Sequence, residues 1–267
     1  MSVTPQADIV FQHVRDTEPP GDLVTVAISL YNYAQFLVEC LDSVLAQRHA
    51  LVELVVIDDA SAKDDSVAVG SKWMQEHAQR FSRVLLLRHK RNQGLAQARN
   101  TAFEHARASH VFVMDADNTI YPRALGRLYQ AIETSGAAAA YTQTELFGTR
   151  SSVGLADIWH PKWLRHGNYI DAMALISRNA WRDVGGYTHI EGGWEDYDFW
   201  CKFIEQGYVA AFVPEMLCRY RVHRASMLRT ETARSYDAVF VEMTMRHPWI
   251  KLAPIDAEDR AGPRMDT

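Results

Sequence analysis

The chain has 267 residues, 48% of them hydrophobic and 23% charged, with a formal net charge of -5 at pH 7. That length exceeds one typical domain and is short for two, and the composition excludes collagen-like, low-complexity and wholly disordered chains. The acidic balance argues against nucleic acid as a partner.

Residues 1–22 read as an N-terminal arm: they are polar, end in Pro19-Pro20-Gly21 and show no sustained period. Val24 to Leu30 is a short apolar run rich in β-branched residues, the pattern of a strand buried on both faces. Phe36, Leu37, Cys40, Leu41, Val44 and Leu45 then recur at helical spacing. Glu53 to Ile57 predicts a second buried strand, and Asp58 to Asp65 a polar turn before a helix through Trp73 and Met74. Val84 to Leu87 predicts a third strand. Gly94 precedes a helix carrying Leu95, Ala98, Ala102, Phe103 and Ala106, and His110 to Met114 predicts a fourth strand that runs into Asp115.

Such alternation implies a parallel sheet with right-handed crossovers, and ligands of such sheets bind outside the carboxyl ends of the strands. The residues to weigh are therefore Tyr31-Asn32, Asp58-Asp59, Arg88 to Arg91 and Asp115 to Asn118. In the second half, Pro122 opens a helix with Leu125, Leu128, Tyr129 and Ile132 inward. Ala137 to Thr144, Ala172 to Ser177 and Tyr208 to Val213 predict strands. Asp198 to Gln206 predicts a helix stopped by Gly207, and 231–246 a last helix before a loose tail.

Three acidic sites fall at strand ends or loops: Asp58-Asp59 with Ser61 and Asp64, Asp115-Ala116-Asp117, and Glu195-Asp196. Clustered carboxylates repel unless a cation or hydrogen bonds offset the charge, and hard oxygen ligands of this kind suit Mg²⁺ or Mn²⁺. Each pair alone also suits a plainer role, as a surface turn, an Asx-turn or a charge at a helix N-terminus. Their order after buried strands lifts them above that.

The segments VTVAISLYNYAQFLVECLDSVLAQ, LVVIDDASAKDDS, RNQGLAQARNTAF, VFVMDADN, RDVGGYTHIEGGWEDYDFWCKFIEQG and YRVHRASM together resemble family 2 glycosyltransferases, over residues 24–227. The resemblance implies an α/β chain of GT-A type, with a mostly parallel Rossmann-like sheet flanked by helices in one catalytic domain. That domain spans 23–228, with a nucleotide-binding half (23–118) and an acceptor and catalytic half (119–228), followed by a C-terminal helix and tail (229–267). It implies an inverting transfer from a nucleotide-diphosphate sugar, UDP or dTDP favoured, to an acceptor hydroxyl. By position, it places Tyr31 against the base with Ser29 and Asn32 beside it, Asp59 on the base, Asp115 near the ribose, Asp117 on the metal, His223 completing the metal site, and Asp196 as general base. Ser29 departs from the proline common at its position in the family.

Physical reasoning adds further candidates. Glu195 orients the acceptor or binds the donor. Arg99 suits a phosphate contact and equally an ion pair with an aspartate. Trp194 and Trp159 suit an acceptor-binding platform and equally the core. The acceptor is a polysaccharide, a lipid-linked molecule or a small molecule. Two readings compete: a non-catalytic nucleotide-sugar-binding module, and a haloacid-dehalogenase-type phosphatase using Asp115 and Asp117. Cys40, Cys201 and Cys218 lie in no metal-ligand spacing and read as reduced thiols. With no secretory signal pattern and no apolar run of ~18 residues, the expected location is cytoplasmic, with a peripheral membrane contact left open.

Overall fold

The computed structural model describes residues 6–16, 21–223 and 232–252. Strand β1 (Ala7–Val14) leads to β2 (Val24–Leu30), helix α1 (Ala34–Leu45), β3 (Val52–Asp58), α2 (Ser66–His77), β4 (Arg83–His89), α3 (Leu95–His105) and β5 (His110–Asp115). Every residue of β2 and β3 is buried, as the unbroken apolar runs require. Within β3, Leu54 and Val56 enter one core cluster and Val55 and Ile57 the other, so the period of two fills both faces of the sheet. Two carboxylates of β3, Glu53 and Asp58, sit in this layer. The Glu53 carboxylate is buried but accepts from Thr25, Arg83 and Arg107, so its desolvation is offset.

The chain continues through β6 (Thr119–Ile120), α4 (Ala124–Ser135), β7 (Ala139–Gly148), β8 (Ser152–Val153), α5 (Pro161–Leu164), β9 (Ala174–Ser177), α6 (Arg178–Asp183), α7 (Glu195–Glu205), β10 (Ala210–Val222) and α8 (Thr232–Arg246). All strands join one sheet in the order β1-β4-β3-β2-β5-β9-β7-β10-β6, with β8 beside β7. The block β4-β3-β2-β5 is parallel, as is β7 with β10, while β1, β9, β6 and β8 run antiparallel to their neighbours. Antiparallel β9 brings the chain entering it beside the carboxyl end of β5, where Asp115 lies. Among the described residues no helix is long and apolar enough to cross a membrane.

The short elements β6, β8, α5 and α6 were not predicted, α7 starts at Glu195 and not Asp198, and two strands differ further. Part of the arm, 7–14, is an edge strand on β4, and its register slips between Ile9 and Phe11. That slip breaks the alternation, and pairing on one side only leaves most of its side chains exposed. Strand β10 runs nine residues past Val213, to Val222. Its register shifts between Val213 and Met216, around Pro214, which has no N–H to give the ladder. That extension carries the chain to His223. Part of the expected tail and the segment RASM after His223 lie outside the described residues.

Candidate active site

The loops after the parallel strands are stitched to one another. Asn32 takes a left-handed φ of 56° that asparagine tolerates. Its N–H donates to Ser61 Oγ at 2.8 Å, and its Oδ1 accepts from Ala62 N and Lys63 N at 3.0 and 2.9 Å. Its amide oxygen thus joins the two loops. Tyr31 beside it is 43% exposed, and Ser29 is buried at the end of β2, its carbonyl accepting from Ala116 N. The non-glycine residues with positive φ among those described are Asn32, Ala60 and Trp194, and all three border the acidic sites. Backbone strain of this sort is held where surrounding structure over-determines it.

Asp59 is buried and largely committed. Oδ1 accepts from Gln93 N at 2.8 Å and pairs with His89 Nδ1 at 2.7 Å, and Oδ2 accepts from Gly94 N at 2.8 Å. Its carboxylate anchors the loop that enters α3 and keeps one acceptor position spare of the roughly four it has. His89 in turn meets Thr101 Oγ1 at 2.9 Å. Sequence reasoning weighed both stretches but not this pairing, which joins the end of β4 to α3. Asp58 is wholly buried beside Arg88, and burial raises its pKa.

Arg99 links the second and third acidic sites. It is buried on α3, with Nη2 at 3.2 Å from both Asp115 oxygens and Nη1 at 2.9 Å from Glu195 Oε1. Of its two sequence readings, the ion pair is the one its geometry makes. Burial alone would lower its pKa, and the charges of Asp115 and Glu195 outweigh that and hold it raised. The same arginine lies over the Tyr187 ring, 5.4 Å from its centre. Through Nη1 and Nη2 Arg99 fixes the two carboxylates, while its buried Nε has no hydrogen-bond partner among the described residues.

His223 Nε2 lies 3.0 Å from Asp117 Oδ2. Arg221, two residues earlier, donates from Nε to Asp117 O at 2.8 Å and from its backbone N–H to Asn118 Oδ1 at 2.9 Å. Its guanidinium sits between the Phe36 and Phe147 rings. Arg221 therefore locks the Asp117 turn to the end of β10. Burial, and then the Asp115 charge, raise the Asp117 pKa.

Glu195 and Asp196 occupy the first turn of α7, whose N-terminus favours negative charge. Trp194 caps it at φ 67°, after Gly192 and Gly193 at 92° and 109°. Asp196 is half-buried. Tyr197 N–H donates to Oδ1 at 2.8 Å and Asn168 Nδ2 to Oδ2 at 3.0 Å. Burial first, and the Glu195 charge second, push its pKa up to about 7. Asp171, which no motif marked, lies on the same segment as Asn168. Its Oδ1 accepts from Met173 N at 2.8 Å, and burial first pushes its pKa up to about 6, with the charges of Asp115 and Asp117 adding to it. The remaining candidates pack inward: Trp159 meets Trp200 and Phe203 edge-on, and Trp194 meets Tyr197 edge-on.

Behind this turn, buried Asp198 pairs with Lys202, Arg246 and His247 at 2.9, 2.7 and 3.0 Å, tying α7 to α8.

The model of the family described as "Glycosyl transferase family 2" matches residues 25–187. The chain belongs to glycosyl transferase family 2. A putative glycosyltransferase, EpsE of Bacillus subtilis, is 26% identical over 239 residues, covering 85% of this chain and 83% of that protein. Three further relatives are longer, and the chain covers 24%, 37% and 47% of their lengths. The solved structure of S. aureus TarS 1–349 in complex with UDP-GlcNAc superposes with a TM-score of 0.65 at 13% identity, covering 89% of this chain and 69% of that one. Mannosyltransferase PcManGT from Pyrobaculum calidifontis, in complex with GDP-Man and Mn²⁺, gives 0.63 at 23% identity, covering 86% and 65%. These likenesses establish the GT-A fold. The family 2 chain is a transferase enzyme, and the phosphatase reading of Asp115 falls with that membership.

Proposed function

We propose that this family 2 enzyme moves a sugar from a nucleoside-diphosphate sugar to an acceptor hydroxyl with inversion, Asp196 being the general base. One observation carries the reading. Asp196 holds a carboxylate with a pKa of about 7, fixed at both oxygens and joined through Glu195 and Arg99 to Asp115. A base works best with a pKa near the operating pH. Burial supplies that value without a catalytic histidine. Ionised Asp196 takes the acceptor proton as the hydroxyl attacks the anomeric carbon, and the bond to the diphosphate breaks on the opposite face.

The remaining acids define what else the site needs. Asp115, Asp117, Asp171, Glu195 and Asp196 interact electrostatically, with Arg99 the cation among them. An anionic diphosphate would add to that excess. No group of three or more metal-holding His, Cys, Asp or Glu occurs among the described residues, but Asp117 and His223 supply an oxygen and a nitrogen 3.0 Å apart. Two protein ligands suit a Mn²⁺ or Mg²⁺ ion that takes its other positions from phosphates and water. Such an ion, when bound, stabilises the leaving nucleoside diphosphate.

The spare acceptor position of Asp59 suits the imide N–H of uracil or thymine, which favours UDP or dTDP. In this reading residues 23–118 hold the nucleotide and 119–228 the acceptor. The buried, unpaired Cys40, Cys201 and Cys218 support a reducing, cytoplasmic setting. Asp196→Asn tests the proposal. The variant is expected to bind donor nucleotide as the parent does and to lose transfer, since a base acts only in the transition state. Full turnover would place the base elsewhere.

A further inference from the structure

We infer that residues 149–168 form a docking surface for an anionic lipid bilayer, so that the acceptor hydroxyl reaches Asp196 on a lipid-anchored molecule. This rests on the transfer reaction proposed above and names its acceptor class.

The segment spans the mouth of the site. At its start, Thr149 N–H donates to Val222 O at 2.9 Å, one residue from His223. At its end, Asn168 holds Asp196. Its backbone is pinned between those points. Gly154 N donates to Thr144 O at 2.7 Å, Gln143 Nε2 to Ala156 O at 2.9 Å, Tyr141 Oη to Asp157 O, and Tyr169 Oη to Ile158 O at 3.1 Å. The core receives Ala156, Trp159 and Leu164 from the segment. Yet Val153 is 56% exposed, Leu155 80%, Ile158 55% and Trp163 44%, and none of the four enters either core cluster. A pinned backbone that buries Ala156 and Leu164 while four large apolar side chains stay exposed, Trp163 stacked on His160, presents a surface.

Charge identifies the partner. The whole chain carries a net charge of -5, whereas 149–168 holds Arg150, Lys162 and Arg165 against the single carboxylate of Asp157. Arg150 and Lys162 are exposed and have no ion-pair partner among the described residues. Aliphatic side chains and a tryptophan flanked by bases form the composition of a membrane-interface contact. The apolar groups enter the headgroup boundary and the bases meet anionic lipid. Seated this way, the segment would bring Asp196 and His223 to the membrane surface, where a lipid-anchored acceptor presents its hydroxyl.

The test is co-sedimentation of the full chain with vesicles of phosphatidylcholine alone and of phosphatidylcholine with phosphatidylglycerol. The wild type is expected to pellet with the anionic vesicles, and Leu155→Glu/Ile158→Glu and Arg150→Glu/Lys162→Glu each to weaken binding by roughly tenfold or more. Calorimetric binding of UDP, dTDP and GDP is measured on the same variants and is expected to be unchanged. Its failure would count against the donor reading and not against the surface. Wild-type protein left in the supernatant, or variants that pellet equally well, would overturn the inference. So would gel filtration showing that the same substitutions split a dimer of a protein that binds no vesicle, because the patch would then meet a second copy.

Discussion

Replacing Asn168 with alanine tests how Asp196 is kept ready to accept a proton. The amide donates from Nδ2 to Asp196 Oδ2 at 3.0 Å, and Ile170 N–H donates to Asn168 Oδ1 at 3.1 Å, which sets the end of the amide that faces the carboxylate. An ionised carboxylate accepts hydrogen bonds, so this bond favours the charged form. A hydrogen bond to a charged group contributes about 1.5–3 kcal/mol. Asp196 is half-buried, and water replaces part of the lost bond. A net loss of about 1.4 kcal/mol corresponds to one pKa unit. From its raised value of about 7, Asp196 then moves to about 8. Glu195, Arg99, Asp171 and the Tyr187 and Tyr220 hydroxyls, which also face it, stay in place. At pH 7 the ionised fraction falls from about one half to about one tenth, so kcat/KM falls about fivefold and recovers as the pH rises. Nucleoside diphosphate release, followed from about pH 5.5 to 9 for parent and variant, reads this directly. A loss of the same size at every pH would refute the reasoning and leave Asn168 a purely structural role.

The network behind α7 makes a stability prediction. Asp198→Asn removes the charge that meets Lys202, Arg246 and His247, and is expected to cost about 3 kcal/mol in urea unfolding. The same network gives wild-type stability a pH dependence of known sign. Burial opposes the shift, but hydrogen bonds from His247, Arg246 and Lys202 depress the Asp198 pKa, so its contribution is present above the usual carboxylate pKa and is lost as pH falls through the depressed value. Hydrogen bonds with Asp198 and Glu205 outweigh burial and raise the His247 pKa, so its contribution is full below about pH 6.5 and is lost as pH rises through the raised value. Urea midpoints on either side of neutrality check this, and the alkaline loss is expected to shrink in Asp198→Asn. His223→Ala is expected to weaken Mn²⁺ binding in the presence of nucleotide by about tenfold. Unchanged affinity would limit His223 to orienting Asp117.

The fold was legible where burial on both faces writes a continuous apolar run, as in β2, β3 and β5, and where a helix has one apolar face, as in α1 and α4. It was not legible at β1, an edge strand whose slip at Ile9 hides its period, nor past Pro214 in β10. The acidic pairs stood out because carboxylates after buried strands are costly without a purpose. The groups that organise them did not. Arg99 was readable as a partner for a phosphate or an aspartate, but its second partner, Glu195, lies 96 residues away in sequence. Asn168 and Asp171 reach the site because β9 runs antiparallel to β5, a pairing that local sequence does not encode. Asn32, read as a nucleotide contact, gives its Oδ1 to the neighbouring loop, and Asp59 keeps part of its capacity.

The proposed transfer needs a cation on Asp117 and His223 if so acidic a mouth is to accept a diphosphate. Calorimetric titration of UDP, dTDP and GDP, each with Mn²⁺ and with chelator, tests it most directly. The account predicts that at least one nucleotide binds with Mn²⁺ and loses most of its affinity in chelator. Equal affinity in chelator, or binding of none of the three under either condition, would contradict it.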